Sequence, residues 1–256
     1  MSKFVAKLTN LNKDIVPPLG FGKSPSMEGK SESMLVMVEL GGKGEDEIKA
    51  LAEAGAAAGL IKGFKAGMLT KLAECRLPVG LVLDSNTIAG PKTADGEIDF
   101  IIFGPGLPLR ILEGWTLGQK GKVIEMDSTI DSGLLRSVNN LYPGVDAVLV
   151  DLTVSPLTVE HMMSCRRVAD FSGQPLIARI ASVLSRAELA ALREAGVKCL
   201  LLGANATIEG VKALVEAIRD LPRPPRKKGQ KDIALVPIVG LSQEQEEEGG
   251  DDDDDN

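Results

Sequence analysis

The chain has 256 residues, of which 44% are hydrophobic and only 3% aromatic, so one sizeable core is available but it must be aliphatic. Trp115 and Tyr142 are the sole Trp and Tyr, too few for the aromatic platform that holds single-stranded nucleic acid, and no nucleic-acid partner is expected. The formal charge of −7 is concentrated at one end: the last thirteen residues carry nine acids, and the remainder is nearly neutral at +2.

In chain order, residues 1–33 precede the first apolar run and include Pro17-Pro18-Leu19-Gly20-Phe21-Gly22-Lys23-Ser24-Pro25, which can form neither a helix nor a central strand. They are expected to be an arm on the body of the protein or a loose leader. Eight short aliphatic runs follow: Leu35–Glu39, Gly59–Lys62, Val79–Asp84, Asp99–Phe103, Val123–Asp127, Ala147–Asp151, Leu176–Arg179 and Cys199–Leu202. Continuous aliphatic runs are the mark of parallel strands buried on both faces. Their spacing, roughly twenty to thirty residues, leaves room for a helical crossover each time. Eight such units predict an α/β fold, a (β/α)8 TIM-like barrel over 34–221.

Helix signals fall between the runs. Ser128 with Asp131 has the spacing of a capping box ahead of Leu134, Leu135, Val138 and Leu141; Ser185 with Glu188 repeats it ahead of Leu189, Leu192 and Ala195. Ser155-Pro156 reads as an N-cap with proline in the first turn. Glu53-Ala54-Gly55 before the second run and Glu194-Ala195-Gly196 before the eighth are the same device, a helix stopped at a glycine able to turn left-handed. Between Asp84 and Asp99, Gly90, Pro91 and Gly96 leave room only for a short or distorted helix. Residues 222–243 are a basic Pro-rich connector and an apolar return segment, Ile233 to Leu241; residues 244–256 are an acidic tail whose like charges predict disorder.

Cys75, Cys165 and Cys199 are odd in number and widely spaced, which predicts buried reduced thiols rather than a zinc site or redox pair. No run approaches the roughly twenty apolar residues of a membrane span, and Met1 to Asp14 lacks a signal-peptide hydrophobic region. No membrane partner and a cytoplasmic location are therefore expected, with self-association to a homo-oligomer left open.

In a barrel of this kind chemistry sits at the C-terminal ends of the strands. Here those ends carry Glu39, Lys62, Asp84, Glu125, Asp127, Asp151 and Arg179, with Glu125 and Asp127 on one face of their strand by its period of two. Lys62 and Arg179 are candidates to stabilise an oxyanion, and Glu125, Asp127 and Asp151 to move protons. Glu39 and Asp84 are candidate ligands for a divalent cation such as magnesium. Such a set suits lyase or isomerase chemistry on a small polar or anionic metabolite. One alternative is an ion-paired layer in a non-catalytic barrel that serves as a scaffold or binds partners.

A second alternative is phosphate or flavin-phosphate binding at Gly203, Ala204 and Asn205, where glycine-bearing backbone precedes a helix N-terminus near Thr207. Gly41-Gly42-Lys43-Gly44 also resembles a phosphate loop, but Glu45, Asp46 and Glu47 already occupy the next helix's positive end, which predicts a flexible loop or lid instead. His161, the only histidine, falls within a helix on the outer ring and is expected to have a surface or packing role, which leaves histidine triads and histidine-ligated zinc without a member.

Ile61-Lys62-Gly63 and Leu83-Asp84 resemble the second and third strand ends of the orotidine-phosphate decarboxylase group of barrels. There a lysine-glycine strand end accompanies an Asp-x-Lys-x-x-Asp motif. Asn86 stands here where that motif has its lysine, so the resemblance implies a phosphate-binding type of barrel and carries no decarboxylase activity with it.

Overall fold

The structure is a computed structural model, and it describes residues 2–11, 32–63, 77–84, 98–116, 120–141 and 144–222. Eight strands form where the aliphatic runs stand: β1 Leu35–Glu39, β2 Ala58–Lys62, β3 Val79–Leu83, β4 Phe100–Phe103, β5 Gly121–Met126, β6 Ala147–Leu152, β7 Leu176–Ile180 and β8 Val197–Leu202. Each pairs in parallel with the next, and β1 closes the ring on β8 with Leu35 opposite Cys199 and Val38 opposite Leu202. The chain is a closed eight-stranded (β/α)8 barrel.

The apolar residues divide into two clusters by strand period. Leu35, Met37, Ala58, Leu60, Phe100, Ile102, Val123, Leu149, Ile177 and Leu201 fill the interior of the ring. The alternate residues, among them Val36, Val38, Leu81, Ile101, Val148 and Leu200, face outward and pack under the helices. Among the described residues seven α-helices are present: α1 Lys3–Asn10, α2 Glu45–Glu53, α3 Leu109–Thr116, α4 Ser132–Ser137, α5 Val159–Ser172, α6 Arg186–Glu194 and α7 Ile208–Arg219. Leu189 and Leu192 of α6 and Val211 and Leu214 of α7 supply the outer layer of that shell.

The expected arm is in part a plug. Residues 3–10 form α1, whose Phe4 and Leu8 are fully buried in the interior cluster, with the Phe4 ring stacked on Phe100 at 4.6 Å between centroids. Asp99, just ahead of β4, fixes this helix: its carboxylate accepts from Ser2 Oγ at 2.7 Å, Lys3 N at 2.8 Å and Phe4 N at 2.9 Å. Asp99 thereby satisfies donors that a helix start leaves open. Because Asp99 lies at the N-terminal end of the strands, α1 closes the face of the barrel opposite the strands' C-terminal ends. Glycine makes room for it: a Cβ on Gly80 would fall 2.2 Å from the Phe100 ring, and one on Gly121 would fall 2.5 Å from Val5.

The helix punctuation is partly as expected. Ser185 and Glu188 form a reciprocal capping box on α6, and Gly55 and Gly196 take φ of 101° and 102° after α2 and α6. Two caps differ. For α4 the N-cap is Asp131 itself, which accepts from Gly133 N at 2.7 Å, rather than Ser128. For α5 the N-cap is Thr158, not Ser155: Thr158 and His161 cap each other, with His161 Nδ1 accepting from Thr158 N at 3.0 Å. The reciprocal bond places the helix start three residues later than Ser155-Pro156 suggested, and gives His161 a capping role. The Pro17–Pro25 run, the expected third-unit helix between Asp84 and Asp99, the connector and the acidic tail all lie outside the described residues.

Candidate functional site

Strand alternation carries the apolar interior up to a charged top layer. After Met37, Leu60, Val123, Leu149 and Ile177, the next inward positions on their strands are Glu39, Lys62, Glu125, Asp151 and Arg179. The β6–β7 register sets Asp151 directly opposite Arg179. Five of the seven strand-end residues therefore meet, and Arg179 is their hub. Its guanidinium donates to Glu125, lies 3.3 Å from Asp151 Oδ2, and brings Nε to 3.6 Å from Glu39 Oε1. Lys62 Nζ lies 2.8 Å from the same Glu39 oxygen.

Exposure grades the cluster. The Glu39 and Arg179 side chains are 10% and 11% exposed, whereas Glu125 is 31%, Asp151 50% and Lys62 53% exposed. Burial works against the charge on Arg179, yet the hydrogen bonds and charges of Glu125 and Asp151 outweigh it and raise its pKa above the ordinary value. For Asp151 burial pushes the pKa up, but Thr153, through its hydroxyl and its N–H at 2.8 Å, together with Arg179, holds the carboxyl below the usual range.

Asp127 and Asp84 stand outside this network. β5 ends at Met126, so alternation does not extend to Asp127; its Oδ1 instead accepts from Thr129 N and Thr129 Oγ1, both at 2.8 Å, and these bonds lower its pKa. Asp84 follows β3 and is exposed. The described residues contain no group of three or more His, Cys, Asp or Glu placed to hold a metal ion. Glu39, expected as a ligand, faces two cations, and Glu125 and Asp151 face the same guanidinium, an arrangement that does not fit a divalent cation.

Beside the charged layer a cavity of about 400 Å³ opens over the ends of β7 and β8. Its charged lining is Glu39, Lys62 and Arg179, one positive charge in excess; Thr153, Ser182, Asn205 and Thr207 add neutral polar groups. Gly203, Ala204 and Asn205 line it too, as does the first turn of α7 at Thr207 and Gly210. Thr207 caps that helix by accepting from Gly210 N at 3.1 Å. Glu209 is the one acid in this first turn and is exposed, against three acids in the first turn of α2. The positive end of α7 is thus much less neutralised than that of α2.

Sequence reasoning missed Lys43. The loop after β1 was expected to be flexible or a lid. Instead the Lys43 side chain is 8% exposed, and its Nζ reaches Glu47 Oε1 at 2.8 Å and the Ala206 carbonyl at 3.0 Å, joining the first βα loop to the last. A glycine-lysine pattern reads as mobile because Glu47 is its only nearby partner among the described residues; the carbonyl that ties the loop down lies 163 residues away.

No protein-family model matches the chain, and no curated protein matches it in sequence. Among solved structures it is similar to the tryptophan synthase alpha-subunit of Pyrococcus furiosus, with a TM-score of 0.58 and 14% identity over 74% of this chain and 98% of that one. A protein from Aquifex aeolicus aligns with a TM-score of 0.60 and 12% identity over 84% of this chain and 97% of its own. The homocysteine methyltransferase MmuM of Escherichia coli, in its apo form, aligns at 0.51 and 11% identity over 72% and 96%. The likeness in each case is one of fold. No described helix is long and apolar enough to cross a membrane.

Proposed function

We propose that this barrel is an enzyme that binds a small anionic metabolite over β7 and β8 and carries out lyase or isomerase chemistry through a stabilised oxyanion. The supporting observation is the cavity itself. At about 400 Å³ it falls in the range of small-molecule sites, and it is lined by Lys62 and Arg179 against the single carboxylate of Glu39. An anionic group on the ligand would meet the weakly neutralised start of α7, and a carbonyl oxygen would gain charge beside Lys62.

Asp151 is held in its ionised form by Thr153 and Arg179, which suits it to accept a proton rather than donate one. Glu125, bound by the same guanidinium, is the second carboxylate candidate for that role. Asp127, committed to Thr129, has a turn to hold instead.

A phosphate-bearing ligand, flavin mononucleotide included, is the second reading, favoured by Gly203, Ala204 and Asn205 lining the cavity beside the α7 start. A thermal-shift panel of phosphorylated sugars, 2-oxo acids and flavin mononucleotide tests both, since a ligand that binds only the native state raises Tm. At a hundred times Kd the expected stabilisation is about 2.7 kcal/mol. Lys62→Gln should remove the response at a modest cost in ligand-free Tm, because Lys62 is 53% exposed while its 10%-exposed partner Glu39 keeps Arg179 beside it. A panel without any response, or an unaltered response in Lys62→Gln, would overturn the proposal and favour a non-catalytic barrel.

A further inference from the structure

We infer that Lys43 is a positioning residue for the anion site: by holding the Ala206 carbonyl from outside the cavity, it aims the Thr207 N–H into it. This rests on the reading of the cavity as an anion site. Ala206 and Thr207 both line the cavity, whereas Lys43 does not. The Ala206 carbonyl and the Thr207 N–H belong to one peptide unit, which is planar and trans, so the two groups point in opposite directions. A carbonyl fixed on the Lys43 side therefore turns the N–H toward the other side.

Three further observations bear on this arrangement. The Ala206 N–H is itself held, donating to Gly203 O at 3.0 Å, so the loop is fastened on both sides of the residue that Lys43 grips. The loops it joins are in contact: a Cβ on Gly41 would lie 3.8 Å from the Ala204 Cβ. The cavity also contains a buried donor unsatisfied within the described residues. Glu39, 8% exposed, is paired through Oε1 with Lys62 at 2.8 Å, but the Arg179 Nε, 3.6 Å from that oxygen, donates no hydrogen bond. Buried polar groups without partners are rare in native proteins and call for a ligand or water.

Burying an ammonium is costly unless it is paired. Glu47 balances the charge of Lys43, and the Ala206 carbonyl takes a charge-assisted hydrogen bond from it. A neutral strap would fix the loop equally well; a lysine also polarises the peptide whose N–H faces the ligand, strengthening that donor.

The test follows the Thr207 amide by NMR in the 15N-labelled full chain during a titration with inorganic phosphate. Wild type should show a saturable shift of that amide. Lys43→Met should lose the Thr207 shift and bind phosphate about ten-fold more weakly or worse, the size of losing one hydrogen bond to a charged group. Lys43→Arg, still able to donate to Ala206, should recover both. If Lys43→Met binds within about two-fold of wild type with the same Thr207 shift, the positioning role is wrong and the anion site stands. If wild type shows no saturable response in the residues lining the cavity, both fall. Glu47→Gln, which keeps the lysine but weakens its anchor, serves if Lys43→Met does not fold: an intermediate loss of affinity and of the Thr207 shift supports the role, and unchanged binding refutes it.

Discussion

Replacing Arg179 with methionine removes the hub of the charged layer while keeping most of its volume. Of the three carboxylates it serves, Glu125 and Asp151 are 31% and 50% exposed and can rehydrate, so each loses an interaction of the surface class, about 0–1 kcal/mol. Glu39, at 10%, cannot. Removing one partner of a buried pair costs about 3–5 kcal/mol, and Glu39 keeps Lys62 at 2.8 Å, which sets the expected loss near the lower end, about 3 kcal/mol. For a chain of this size that is a fall in Tm of roughly 6–12 °C.

The loss should also depend on pH. Asp151 has a depressed folded pKa, so its contribution is present above its unfolded pKa of about 3.9 and disappears as pH falls through the lower folded value. Without Arg179 that depression shrinks, and the gap between wild type and variant should narrow in acid. Urea unfolding from about pH 7 to about pH 3 measures it. A loss under about 0.5 kcal/mol near neutrality, or a gap that widens as pH falls, would refute the coupled layer.

Asp99→Ala should cost about 1–3 kcal/mol in urea unfolding by orphaning the start of α1, and should speed proteolysis within the first eleven residues. If α1 is cleaved no faster in the variant, the plug is not held by this cap. Gly80→Ala forces a Cβ to within 2.2 Å of the Phe100 ring, itself stacked on Phe4, and should destabilise by about 1–3 kcal/mol or more; a neutral result would mean the barrel floor is slack. Burial pushes the Cys165 thiol up to about 12 and the Cys199 thiol up as well, so neither should react with a disulfide reagent near pH 8 until the chain is denatured. Immediate modification of either in the native protein would contradict their burial.

The strands were legible because parallel strands buried on both faces leave no doubt in an aliphatic sequence, and each run reappears within a few residues of its expected bounds. The gathering of Glu39, Lys62, Glu125, Asp151 and Arg179 was legible for the same reason, since strand period fixes which residue follows Met37 or Leu149 inward. Asp127 escaped that logic because β5 stops at Met126, and a strand's last residue is set by loop bonds such as those to Thr129. The cap at Thr158 was missed because a histidine in the third helical position is a rarer reciprocal partner than the glutamate of Ser185 and Glu188. Lys43 and α1 were out of reach for a simpler reason. Their decisive partners, the Ala206 carbonyl and the Asp99 carboxylate, lie some hundred residues or more along the chain, and local pattern holds no trace of such pairings.

Ring closure has a kinetic side. β1 has its second neighbour only when β8 arrives, with Leu35 meeting Cys199, and α1 gains its carboxylate anchor only once Asp99 has been made. Through most of synthesis on the ribosome, therefore, the first strand has an open edge, and until Asp99 is made the first helix waits unanchored. Contacts of such long sequence separation slow the search for the native state, and the half-made barrel is the stage at which this protein most needs protection from aggregation.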